Sequence, residues 1–244
     1  GDLSSISNDQ VWSIAEDASG RIWVGTDNGL SLFNEEDSTF SVYRHDSFDP
    51  KSLSANSVKC ILADHYGQMW VGTYDGGVNL YNPSVNQIQH YYQKQGQSSL
   101  SGNNVSAVVQ LDQDRVLIGT DGNGLNLFDK SSGQFTNFTC QPDNPTGIGG
   151  DKIKTLLLDQ EGKVWIGFWN NGMDRFDPET NSFIHFRKDE RESSPWLTSD
   201  NVTSLVEDQD GLLWVGTFGG GLYSFDPQQN LFASYIKYPN GGES

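Results

Sequence analysis

Rings, amides and carboxylates gather at five places in this 244-residue chain: Asp27-Asn28, Tyr74-Asp75-Gly76, Asp121-Gly122-Asn123, Trp169-Asn170-Asn171 and Phe218-Gly219-Gly220. A ring stacks on the apolar face of a sugar, while amides and carboxylates take its hydroxyls. These residue types suit non-covalent recognition of an oligosaccharide. The candidate ligand-binding residues are Asp27, Asn28, Tyr74, Asp75, Asn123, Trp169, Asn170, Trp196 and Phe218. Trp169 and Trp196 are indoles outside the positions that repeat along the chain. The blander reading is that these are polar loops on a rigid scaffold.

Other chemistries find less support. Cys60 and Cys140 make no disulfide framework and cannot bind a metal alone, and the four histidines have no ligand spacing. Asp208-Gln209-Asp210-Gly211 begins like a calcium loop but lacks the later ligands. A glycosidase needs two placed carboxylates, one with a raised pKa. Here the acidic residues sit mostly at repeated turns, and no pair stands out. The expectation is a chain with no catalytic residue, metal or cofactor. A propeller glycosidase or lyase, or a non-catalytic interaction scaffold, are the alternatives.

Charge narrows the partners. With 32 acidic and 15 basic residues the formal net charge is −17. Such a surface repels phosphate backbones, so nucleic acid and anionic membranes are not expected partners. The first residues do not have the pattern of a signal peptide, and no apolar run reaches the ~18 residues of a membrane span.

The elements that must hold the candidate loops follow from an internal repeat. Trp23-Val24-Gly25-Thr26 recurs as Trp70 to Thr73, Leu117 to Thr120, Trp165 to Phe168 and Trp214 to Thr217. The glycine falls at 25, 72, 119, 167 and 216, in steps of 47, 47, 48 and 49 residues. Each repeat holds four strand-like runs. The first begins at Val11, Val58, Val105, Ile153 and Val202, and its third position is always small. Its alternation predicts burial on both faces. A four-residue turn from Asp to Gly follows, as in Asp17 to Gly20, except where Asp114 replaces the glycine. The third run starts at a glycine and ends in an aromatic then Asn or Asp; the fourth is short and aromatic. Glycine, 27 of 244 residues, fits many tight turns.

Four antiparallel strands per ~47 residues is the pattern of a β-propeller blade. The predicted fold is all-β: five blades at about 6–48, 53–97, 100–143, 148–192 and 197–238, in one propeller segment. The second–third strand loops should open on the face that carries the linkers before each first strand.

The repeat resembles the two-component regulator propeller repeat, a family with the pattern Asn-x-Val-x-x-Ile, Asp-x-x-Gly-x-x-Trp-x-Gly-Thr, then Gly-Leu. Here it runs Asn56 to Ile61, Asp64 to Thr73 and Gly77-Val78 to Tyr81-Asn82. The third and fourth repeats depart at Leu117 and Phe168. The resemblance implies the extracytoplasmic, periplasmic sensor region of a membrane-anchored hybrid two-component system or sensor histidine kinase, like the carbohydrate sensors of gut Bacteroides. It implies propellers of about seven blades, of which five repeats would be an excerpt. The chain itself would then be no enzyme, with the kinase elsewhere in the parent. An excerpt would leave terminal blades uncovered, so a homodimer or self-association through them is expected.

Overall fold

The computed structural model describes residues 4–82, 85, 87–188 and 197–235. These are all strand, turn and loop, with no helix among them. Twenty strands form five separate four-stranded sheets, each in sequential antiparallel order. Blade one holds β1 (Val11–Glu16), β2 (Ile22–Thr26), β3 (Gly29–Asn34) and β4 (Thr39–Tyr43). Blade two holds β5 (Val58–Ala63), β6 (Met69–Thr73), β7 (Gly77–Asn82) and β8 (Gln87–Tyr91). Blade three holds β9 (Val105–Gln110), β10 (Arg115–Thr120), β11 (Leu125–Asp129) and β12 (Gln134–Phe138). Blade four holds β13 (Ile153–Leu158), β14 (Val164–Phe168), β15 (Met173–Asp177) and β16 (Ser182–Phe186). Blade five holds β17 (Val202–Glu207), β18 (Leu213–Thr217), β19 (Gly221–Asp226) and β20 (Leu231–Tyr235). The chain divides into two compact units, residues 1–137 and 138–244.

Burial is deepest in the second and third strands. Every residue of β6 and β14 is buried, because both faces of these central strands meet side chains. In the first unit Trp70, Val78, Leu100, Val105, Ile118 and Phe128 form one apolar cluster between blades two and three. In the second, Trp165, Phe186, Leu213, Tyr223 and Phe225 do the same between blades four and five.

The predicted two-sided burial of the first strand holds in part: β5, β9 and β13 have no exposed residue, whereas β1 and β17 expose several. Each first strand is an edge member of its sheet. Its small third residue serves another purpose. Ser13 and Cys60 lie opposite Gly25 and Gly72 in the ladder, which lets neighbouring blades approach. The Ser13 hydroxyl even accepts the Ile61 amide of the next blade at 3.0 Å.

Two side-chain devices recur. The turn aspartate accepts the tryptophan Nε1–H: Asp17 from Trp23, Asp159 from Trp165 and Asp208 from Trp214, each at 2.8 Å, and Asp64 from Trp70 at 3.2 Å. Its other oxygen takes backbone amides of its own turn, as Asp64 takes Tyr66 and Gln68, with Gly67 at φ +76° closing the bend. Blade three has Leu117 and no indole; Asp112 keeps the arginine bond, Arg115 Nε at 2.7 Å, which Asp17 makes to Arg21 as well as to its indole. The second device ties down the linkers. A side chain two residues after the glycine that leads into the third strand accepts an amide of the preceding linker: Ser31 from Ser7, Asn79 from Ser54, Asn126 from Ser101, Asp174 from Gly149 and Tyr223 from Thr198. A fixed linker fixes the loop beside it.

Candidate functional site

The loops between second and third strands do lie beside the linkers that precede the first strands. In each blade the first loop amide donates to a linker carbonyl: Asp27 to Gln10, Tyr74 to Ser57, Asp121 to Asn104, Trp169 to Lys152 and Phe218 to Asn201, at 2.8–3.2 Å. Loop and linker therefore present one face of each blade.

A bulge shapes that face. In all five first strands the ladder with the second strand slips by one residue between the first and third positions. The extra residues are Trp12, Lys59, Ser106, Lys154 and Thr203. A bulged residue opposes no partner, and the local bend re-aims its side chain. These five residues vary between an indole, two ammoniums and two hydroxyls, whereas the residues before them are all Val or Ile. The bulge therefore frees one position per blade from the packing that fixes its neighbours.

In the first unit this face gathers Trp12, Asp27, Ser57, Lys59 and Tyr74. Asp27 Oδ1 accepts from Trp12 Nε1 at 2.7 Å, Ser57 Oγ at 2.7 Å and Lys59 Nζ at 2.8 Å. The Lys59 ammonium sits 3.7 Å from the centre of the Trp12 ring and 5.9 Å from that of Tyr74. A cation held over an aromatic face and against a carboxylate is stabilised by both. The Lys59 and Ser57 bonds hold the Asp27 carboxyl at about 2, against an ordinary 3.8. All three donors use Oδ1; no bond to Oδ2 is found among the described residues. Trp12 and Tyr74 remain about half exposed, at 54% and 49%. The result is an open shelf of two rings around a pinned ion pair.

In the second unit Trp169 and Phe218 pack with ring centres 5.4 Å apart and planes tilted by 46°. Lys154 Nζ lies 5.8 Å from the Trp169 ring. Asn170 adopts φ +70°, a conformation Asn tolerates, and its amide donates to Asn201 Oδ1 at 2.8 Å.

The candidates thus separate. Asp27 and Tyr74 meet in one cluster, and Trp169, Asn170 and Phe218 in another. Asn28 serves the backbone: its carbonyl accepts Arg44 Nε at 3.1 Å. Asn123 is packed against Gly102 of the linker. Asp75, at φ +66°, lines a separate cleft of about 360 Å³ with His45, His90 and Tyr92. Trp196 lies outside the described residues. Trp12, Lys59 and Lys154 belong to the face but are not among the sequence candidates. Their signal was available as one unmatched position inside an otherwise uniform strand.

Residues 5–28, 52–75 and 197–219 match the family model described as "Two component regulator propeller". Stretches of blades one, two and five are thus two-component regulator propeller repeats. Each matched stretch runs from the linker through the bulge to the loop of the candidate face. No curated protein matches by sequence. Among solved structures, the chain is similar to the extracellular domain described as that of a hybrid two component system from B. thetaiotaomicron, with 25% identity and a TM-score of 0.81 over 97% of this chain and 31% of that one. A second such domain from B. thetaiotaomicron is 27% identical, with a TM-score of 0.73 over 95% of this chain and 31% of that one. Virginiamycin B lyase of Staphylococcus aureus shares the fold, at 15% identity and a TM-score of 0.69, over 98% of this chain and 73% of that one. The chain thus spans about a third of the length of the two-component extracellular domains.

Proposed function

We propose that the chain is part of the ligand-sensing region of a membrane-anchored two-component sensor, on the periplasmic side, and that its bulge-lined face binds an oligosaccharide. The likeness to extracellular domains of two-component systems supports the sensor reading. The observation that carries the ligand is the pair of ring platforms, exposed Trp12 with Tyr74 and half-buried Trp169 with exposed Phe218, each beside a lysine. Rings take the C–H faces of a sugar, and Asp27 Oδ2 accepts a hydroxyl. Coupling to a histidine kinase in the parent protein belongs to the same proposal. The turn acids Asp17, Asp64, Asp159 and Asp208 are engaged with indoles, which favours a binding role over hydrolysis.

The test is calorimetry with a glycan selected by array screening. Each of Tyr74→Ala and Trp169→Ala removes a stacking ring, and each should weaken binding by about 5- to 10-fold, or roughly 1–1.4 kcal/mol. Unchanged affinity in both variants places the site elsewhere. Self-association through the first and fifth blades is part of the proposal too. Ile14, Val206 and Leu231 on these blades are more than half exposed, and light scattering at low micromolar concentration should detect a particle larger than one chain.

A further inference from the structure

Four of the five blades share an aromatic pair that the other lacks. The last aromatic of the third strand lies opposite the second residue of the fourth strand in the ladder. Four blades place two phenylalanines there, with ring centres 5.2 Å apart for Phe33–Phe40, 4.6 Å for Phe128–Phe135, 4.8 Å for Phe176–Phe183 and 4.3 Å for Phe225–Phe232. Blade two has Tyr81 opposite Ile88. At that place a cleft of about 480 Å³ opens between blades one and two.

The neighbouring interface shows what is missing. Between blades two and three, the Phe135 ring packs on Phe128 and against Tyr91, 5.9 Å away. Tyr43 is the counterpart of Tyr91, one blade earlier. It lines the cleft with Tyr81, Ile88 and the buried side chains of Trp23, Leu30 and Met69. The cleft is therefore a ring-shaped place with its stacking partners present and its ring absent. Asn79, a polar residue of the wall, is engaged at both ends of its amide, by Ser54 N and Val71 O. The deep part offers contact to apolar surface. The rim carries Arg44, Lys51, Asp46 and Asp49, which suits a polar substituent pointing outwards.

We propose that this cleft is a binding site for a monocyclic aromatic molecule, whose ring takes the place that phenylalanine holds in the other four blades. The site is distinct from the bulge-lined face and does not depend on the sugar reading. Apolar cavities of about 150 Å³ already bind benzene, and ligand pockets span about 300–1,000 Å³, so the volume suffices. The ring would stack on Tyr81 and meet Tyr43 obliquely.

The chain has two methionines, which makes the test direct. Met69 lies in the wall of the cleft, and Met173 is fully buried in the other unit. Phenol is titrated into protein labelled with [¹³C-methyl]methionine. The Met69 methyl should shift saturably by ring current, with Met173 unmoved. In Ile88→Phe, which supplies the missing ring, the Met69 shift should be lost and the melting temperature raised. A Met69 signal that does not move up to the solubility limit of phenol overturns the proposal. So does an equal drift of both methyls, or an undiminished Met69 shift in folded Ile88→Phe. Should that variant fail to fold, the wild-type titration decides alone.

Discussion

Replacing Gly72 by alanine tests how the blades are spaced. A Cβ at Gly72 would run into the Cys60 sulfur of its own blade and would stand 2.6 Å from Val105 Cγ1 and 3.2 Å from Val105 Cβ in the next. Val105 is fully buried, within the cluster between blades two and three. Neither neighbour can swing into solvent, so the strand or the blade must shift. Overpacking of a tight core costs about 1–3 kcal/mol, and two rigid neighbours put Gly72→Ala at the upper end. In a chain of this size about 3 kcal/mol corresponds to a drop in melting temperature of roughly 6–12 °C. Gly216 holds the same repeat position, yet its Cβ would meet only the Ser204 side chain, with nothing else nearer than 3.6 Å. A hydroxyl can rotate away, so Gly216→Ala should cost below about 1 kcal/mol. Circular dichroism melts of both variants provide the comparison. Combined with Val105→Ala, which costs stability of its own, Gly72→Ala should lose less than the sum of the two single losses, because one of the two obstructing groups is gone. Equal drops for the two glycines, or strict additivity in the double variant, would refute the spacing argument.

Two further outcomes concern ionisation. Asp27 should titrate near 2 when its carboxyl is followed by NMR, and Lys59→Ala should move it back towards 3.8, since the Lys59 bond is the largest cause of the depression. Its folded-state pKa is lowered, so its contribution to stability is complete above 3.8 and disappears as pH falls through about 2. The Cys60 thiol is pushed up to about 12 by burial, so it holds almost no reactive thiolate at pH 8; mass spectrometry after alkylation should find Cys140 labelled in the native protein and Cys60 only after unfolding.

The fold was legible because its determinants repeat. Trp70 and Gly72 recur in register in the other blades, and periodicity amplifies what one short motif cannot carry. Leu117 broke the pattern without breaking the blade, since Asp112 still takes the amides of its turn and the Arg115 guanidinium. The candidate face was legible only in part. Tyr74, Trp169 and Phe218 could be read from loops where the repeats disagree. Lys59 is legible only when the five repeats are aligned, because a one-residue bulge leaves the alternation of a short strand nearly intact and a lysine alone reads as an ordinary surface residue. Asn123 shows what residue type alone leaves open: its side chain stands against Gly102 of the linker, and only coordinates reveal such a contact. The open cleft beside Ile88 was equally hidden, as a single isoleucine among phenylalanines has no meaning until the ladder sets them opposite their partners.

The bulge also has an evolutionary consequence. Trp12, Lys59, Ser106, Lys154 and Thr203 stand outside the ladder's two-residue rhythm, so exchanging them disturbs neither strand register nor blade spacing. Mutations there can rewrite what the surface recognises at little cost to folding, while the adjoining Val and Ile positions stay under packing constraint. Five such sites, one per repeat, make the scaffold modular. A library randomised at these five codons alone should yield folded proteins at high frequency, with binding preferences that diverge faster than their architecture.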